Sequence, residues 1–217
     1  LVSHLGVYRA SRVREVGGFR EELEGSQDHD LVLRVMERPG AQARHVAEVL
    51  YHWRLTESST SGGARRKGYA HTAGLRAIES HLERLGRAAD VEPALGSYYR
   101  VRWALPEDPP QVAVILEEPG GVTQEGLGAG PGLGTVEVHL AGGPAGREGR
   151  AARLNAAARS LRPDVLVFLG AGCALSRAGL EELVSQAARP EVGVAGGKVV
   201  SPRGRVLGGA YLLDLGA

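Results

Sequence analysis

A chain of 217 residues, 43% hydrophobic and 24% charged, has the balance of a globular protein with one large or two small domains. Its 26 Lys and Arg against 25 Asp and Glu leave a net charge of +1, so no whole-chain field draws in nucleic acid, and no nucleic-acid partner is expected. The single cysteine, Cys173, excludes an internal disulfide and argues against a cysteine-built zinc site; no apolar run approaches the ~20 residues needed to cross a bilayer.

The text opens in mid-pattern at Leu1, without a signal-peptide pattern, and reads as the cut end of a longer chain. A reducing, cytoplasmic setting is expected, with a place at the inner face of the membrane left open. Leu1 to Arg9 reads as a short strand. Ser11 to Val16 reads as one or two helical turns stopped by Gly17 and Gly18, with Phe19 as a buried anchor behind them. Gly25 and Ser26 then look like a helix entry, with Ser26 as N-cap. The helix runs from about Asp28 to Arg38, with Leu31, Val32, Val35 and Met36 on its inner side, and Pro39-Gly40 ends it. His45 to Arg54, rich in Val, Leu, Tyr and Trp, reads as a strand. Arg65-Arg66-Lys67 fits a solvated helix start better than a phosphate site. Lys67 to Leu85 carries Leu75, Ile78, Leu82 and Leu85 at helical spacing, with Gly86 as the stop.

Residues 88–110 hold Pro93, Pro106, Pro109 and Pro110 and read as a linker between a first unit, 1–87, and a second, 111–217. In the second unit QVAVIL and TVEVHL are strand-like, residues 150–161 are Ala-rich and helical, and DVLVFL is a continuous apolar run suited to a central parallel strand. Ala178 to Ala188 reads as a helix with Ser176 as its cap, and Val192 to Val200 as a further strand. The glycine excess between Gly120 and Gly149 marks loop. Strands alternating with helices give an α/β fold with a mainly parallel sheet flanked by helices.

Two polar constellations could carry chemistry. Gly25-Ser26-Gln27-Asp28-His29-Asp30 places Asp28 in the first turn of a helix, where free N–H groups and the macrodipole favour an ionised carboxylate able to take a proton from a hydroxyl. Read alone, the pattern is better met by two acids that only stabilise a helix start. Tyr51-His52-Trp53-Arg54, followed by Ser58, Ser59 and Thr60, puts a cation and hydroxyls where a phosphate could sit, and His52 could ligate a metal or bind phosphate. Alone, the Trp-Arg pair better fits a packed aromatic under a stacked guanidinium.

The order HLGVYR, EVGGF, EGSQDHDLVLR, VLYHWR, SST over Leu1 to Gly63 resembles the C-terminal half of family-2 glycosyltransferases of the GT-A fold, in particular the rhamnosyltransferase-like group of cell-surface polysaccharide synthesis. The resemblance implies that Asp28 is the general base, with Gln27 standing where the family usually has Glu. It makes Asp30 and Arg34 supports of the site and puts His52, Trp53 and Arg54 near the donor diphosphate and its metal, with His52 as a possible ligand. It also implies a nucleotide-diphosphate sugar donor, a glycan acceptor, and Mg²⁺ or Mn²⁺ in the parent enzyme, whose main carboxylate ligands are absent from this chain.

Residues 150–216 resemble the front half of the same fold. Here Gly170-Ala171-Gly172 stands where the family has its Asp-x-Asp metal motif, Glu117-Glu118-Pro119-Gly120 where the first strand should end in a polar Pro-Thr-Arg type segment, and Ala141-Gly142-Gly143 where an Asp should meet base or ribose. With no carboxylate for a hard cation, no metal is expected in this second, degenerate copy. The expectation is thus a glycosyltransferase fragment that inverts the anomeric carbon; the alternative is a non-catalytic scaffold or glycan-binding module.

Overall fold

A computed structural model describes residues 6–52, 68–96, 98–128, 131–141 and 149–209. The chain divides into two compact units, Leu1–Arg102 and Trp103–Ala217.

The first unit is built on three helices and a small sheet. Helix α1 (Ala10–Glu15) stops at Gly17 and Gly18, whose φ angles of 83° and 75° suit residues without a Cβ. A 3-10 turn at Glu21–Leu23 leads into α2 (Gln27–Met36). Helix α3 (Gly68–Arg84) packs against α2 and against that turn. The face that α3 buries keeps only Leu82 of the long-chain stripe the spacing suggests. On α3 the buried residues are Ala73, Gly74, Ala77 and Leu82, and the first of the small core clusters joins Ala73 and Ala77 to Leu23. Small side chains let the two helices approach closely, which leaves Leu75 and Ile78 only half-buried and Leu85 exposed. On α2 the buried set is Asp30, Leu31 and Arg34, with Met36 exposed.

Other expectations fail for lack of a partner. Phe19 is 60% exposed and anchors nothing. Residues 45–52 form no strand, and Val46, Val49 and Leu50 all face solvent: β-type composition makes a strand only where another strand completes the hydrogen bonds. Residues 6–9 are likewise irregular, and 1–5 lie outside the described residues. The presumed linker holds two paired strands instead, β1 (Ala89–Pro93) and β2 (Tyr99–Trp103). Glu92 on β1 faces Arg102 on β2 at 2.9 Å, so prolines border this small sheet rather than abolish it.

In the second unit a parallel sheet of order β4-β3-β5 is built from β3 (Val112–Leu116), β4 (Val136–Leu140) and β5 (Val165–Leu169). Val112 is level with Val136 on one side and with Val165 on the other. The central strand is β3, buried at every position. Among the described residues the run DVLVFL forms an edge strand, not the central one: burial alternates along β5, and Leu166 and Phe168 are 39% and 53% exposed. One sheet face packs Val112, Val114, Leu116 and Val136 against Leu127 of α4 (Gln124–Gly128) and Leu180 and Val184 of α6 (Arg177–Ala187). Helix α5 (Arg150–Ser160) contacts β3 but buries none of its own residues. Ser176 caps α6 as expected, accepting from the Gly179 N–H at 3.1 Å. The strand expected over Val192 to Val200 shortens to β6 (Val199–Val200), antiparallel to β7 (Val206–Gly208). Among the described residues no helix is long and apolar enough to cross a membrane.

Candidate functional site

Asp28 lies in the first turn of α2 with its side chain exposed to solvent. Its Oδ1 accepts the N–H of His29 at 2.9 Å. The turn is set by the residues before it. Gly25 has φ of 91°, and a Cβ there would stand 2.5 Å from the Tyr69 ring, so only glycine fits both the backbone and the packing. Ser26 occupies the N-cap position but does not cap α2. Its hydroxyl donates to the Ala70 carbonyl at 2.7 Å and so ties the start of α2 to the start of α3. Gln27 supports the same entry, its Oε1 accepting the Gly25 N–H at 2.7 Å.

One half-turn on, Asp30 is fully buried and held by two guanidiniums. Arg20 Nη2 donates to its Oδ1 at 2.6 Å, and Arg34 donates to its Oδ2 through Nε at 2.8 Å. Arg34, itself buried, also donates to the carbonyls of Val16 at 2.5 Å and Gly18 at 2.6 Å, which locks the end of α1 against α2. Burial alone would push the Asp30 carboxyl up. The hydrogen bonds from Arg34 and Arg20 outweigh it, and the group stays below its ordinary value. The wiring continues to α3. Arg20 Nη1 also donates to Ser80 Oγ at 3.2 Å. Glu37, near the end of α2, accepts from Arg84 at 2.7 and 2.9 Å and pairs with His81 at 2.7 Å. Burial pushes the Glu37 carboxyl up, but those partners bring it below the usual range.

Asp28 and Asp30 thus separate into an exposed carboxylate and a buried, fully paired one. Only the first is free to meet a substrate. The sequence reading named Arg34 and Asp30, but nothing in the local text signalled Arg20, Ser80 or Glu37. Their pairing depends on how α2 lies on α3. His52 is exposed in an irregular segment, and Trp53 and Arg54, with Ser58, Ser59, Thr60 and the Arg65-Arg66-Lys67 run, lie outside the described residues.

The second unit offers little at the place where parallel sheets bind ligands, the carboxyl ends of the strands. After β5 stands Gly170-Ala171-Gly172. At the end of β3, Glu117 pairs with Arg150 of α5, and that hydrogen bond holds the Glu117 carboxyl below its usual value. The loops beyond β3 and β5 close on each other at Gly121, where a Cβ would be 2.5 Å from the Cys173 carbonyl oxygen. What remains is a cavity of about 210 Å³ lined by Gly121, Val122, Thr123, Gly126, Leu127 and Leu175. That is smaller than the ~300–1,000 Å³ of ordinary small-molecule sites and holds no charged group. Among the described residues no three His, Cys, Asp or Glu side chains stand together as a cation cage.

The chain is 33% identical over 94% of its length to the O-antigen biosynthesis protein RfbC of Myxococcus xanthus. It is 47% identical over 53% of its length to the uncharacterized protein y4gI of Sinorhizobium fredii. It spans 18% and 13% of those two proteins, so each is several times longer than the part it matches. No family model and no solved structure matches.

Proposed function

We propose that the chain is part of a larger enzyme of surface-polysaccharide synthesis, in which the first unit supplies the general base of an inverting sugar transfer and Asp28 is that base. The observation that carries the reading is the pair of acids on α2: Asp28 exposed, with the His29 N–H on its Oδ1, beside Asp30, buried and clamped by Arg20 and Arg34. The clamp fixes the backbone of the turn and leaves the outer carboxylate to the solvent side. Similarity to an O-antigen biosynthesis protein supports the substrate class, a glycan hydroxyl as acceptor and a nucleotide-diphosphate sugar as donor.

In this mechanism Asp28 accepts the acceptor hydroxyl proton as the oxygen attacks the anomeric carbon and the diphosphate departs from the opposite face. The proton transfer is the step proposed for this chain's own residues. The test is Asp28→Asn in the full-length protein, assayed for sugar transfer. Loss of about 10²–10⁴-fold in turnover with folding intact is expected, as for a positioned base. Undiminished turnover removes Asp28 from the reaction.

A second reading holds for the second unit alone, that it is a non-catalytic scaffold. It is favoured by Gly170-Ala171-Gly172 at the strand end and by Glu117 being already neutralised by Arg150.

A further inference from the structure

Four ring side chains from three separate parts of the first unit gather around the turn that carries Asp28. His29 follows it on α2. Tyr69 and His71 open α3, and Tyr99 comes from β2, in the stretch whose sequence reads as linker. Tyr99 lies 4.7 Å from His71, centroid to centroid, with the planes 15° apart, and 6.5 Å from His29 at 27°. The Tyr99 hydroxyl donates to the His71 carbonyl at 2.9 Å, which fixes the ring. Tyr69 covers Gly25 yet stays 57% exposed.

None of these rings belongs to the buried apolar set described in this unit, Leu23, Leu31, Ala73, Ala77 and Leu82, although Tyr99 packs against Gly74 of α3. They form a half-exposed rim beside an exposed carboxylate. Burial pushes the His29 imidazole down, against the pull of Asp28 and Asp30, so the ring is neutral at neutral pH and can both donate to and accept from a hydroxyl. The Tyr8 phenol is raised by burial and then by the charge of Asp28.

We infer that His29, Tyr69, His71 and Tyr99 form the subsite that seats the acceptor sugar, a pyranose held by its C–H face on the aromatic rings and by its hydroxyls on His29 and Asp28. The chemistry is that of a flat amphipathic ligand: aromatic faces offer apolar area with a polar edge, and the neighbouring carboxylate takes a hydroxyl proton. The inference rests on the acceptor-side reading of Asp28, but it is tested by binding, without turnover.

The experiment titrates the 217-residue chain with methyl α-L-rhamnopyranoside and, separately, methyl α-D-glucopyranoside, following His and Tyr ring resonances by NMR. At least one glycoside is expected to shift the His29, His71 and Tyr99 signals. Tyr69→Ala and Tyr99→Leu, checked for folding by circular dichroism, are expected to weaken that binding about two- to tenfold each. Tyr69 is surface-exposed, so its variant keeps the test valid if Tyr99→Leu fails to fold. Ring signals unmoved by both glycosides, or binding unchanged in the folded variants, overturns the subsite. A subsite that binds sugar while Asp28→Asn retains full transfer would instead overturn only the base.

Discussion

At the residue scale the site turns on the difference between two aspartates two positions apart. Nothing in the text Gln27-Asp28-His29-Asp30 distinguishes them, because helical direction alone leaves open which side faces a neighbour. The difference comes from their partners: Arg20, ten residues back, and Arg34, one helical turn on, converge on Asp30, and Asp28 is left outward. Removing the buried charge should be costly, since two guanidiniums would lose their counter-ion inside the protein. Asp30→Asn is expected to lower stability by about 3–5 kcal/mol, read by urea unfolding at pH 7. A loss below about 1 kcal/mol would mean that the clamp holds nothing.

At the element scale, helices were more legible than strands. The Gly17-Gly18 stop, the α2 entry and the α3 stop at Gly86 all rest on local chemistry, and each lies within a few residues of its expected place. Strands depend on partners that local text does not name. Residues 45–52 have the composition and, among the described residues, no mate, whereas the stretch 88–110, which holds four prolines, contains the paired strands β1 and β2. An apolar run cannot say whether both its faces are covered, and so β5 reads as central although it is an edge. The missing acids after β5, by contrast, were plain in the sequence, and the geometry adds a second obstacle in the Glu117–Arg150 pair. From these strand ends no nucleotide-sugar binding is expected. Titration of the 217-residue chain with UDP-glucose or dTDP-rhamnose plus Mn²⁺ should give no micromolar heat, and saturable micromolar binding that maps to residues 111–217 would contradict the scaffold reading.

At the scale of the whole molecule, the two units draw their stability from different sources. The second has an apolar core of β3, β4, α4 and α6. The first has a small apolar cluster and a polar network around Asp30 and Glu37. Both carboxyls lie below their ordinary values in the folded state, so the unfolded chain binds more protons as pH falls, and stability present above their unfolded pKa is lost as pH drops through the folded ones. His29, pushed down by burial, acts in the same direction from about pH 6.5 downward. Among the described residues the second unit has one such carboxyl, Glu117 beside Arg150, against two and His29 in the first, so the first unit should unfold in acid before the second, with losses concentrated below about pH 4. Amide exchange by mass spectrometry between pH 7 and pH 3 reads this directly, and earlier acid opening of residues 111–209 would refute it.

The proposed transfer sets a sugar hydroxyl against one outward carboxylate. The most direct measurement is a crystal structure of the full-length protein with an acceptor glycoside bound. The acceptor oxygen is expected within ~2.6–3.2 Å of an Asp28 carboxylate oxygen, the reach of a general base. An acceptor seated in a productive site elsewhere, with Asp28 facing only water, would contradict it.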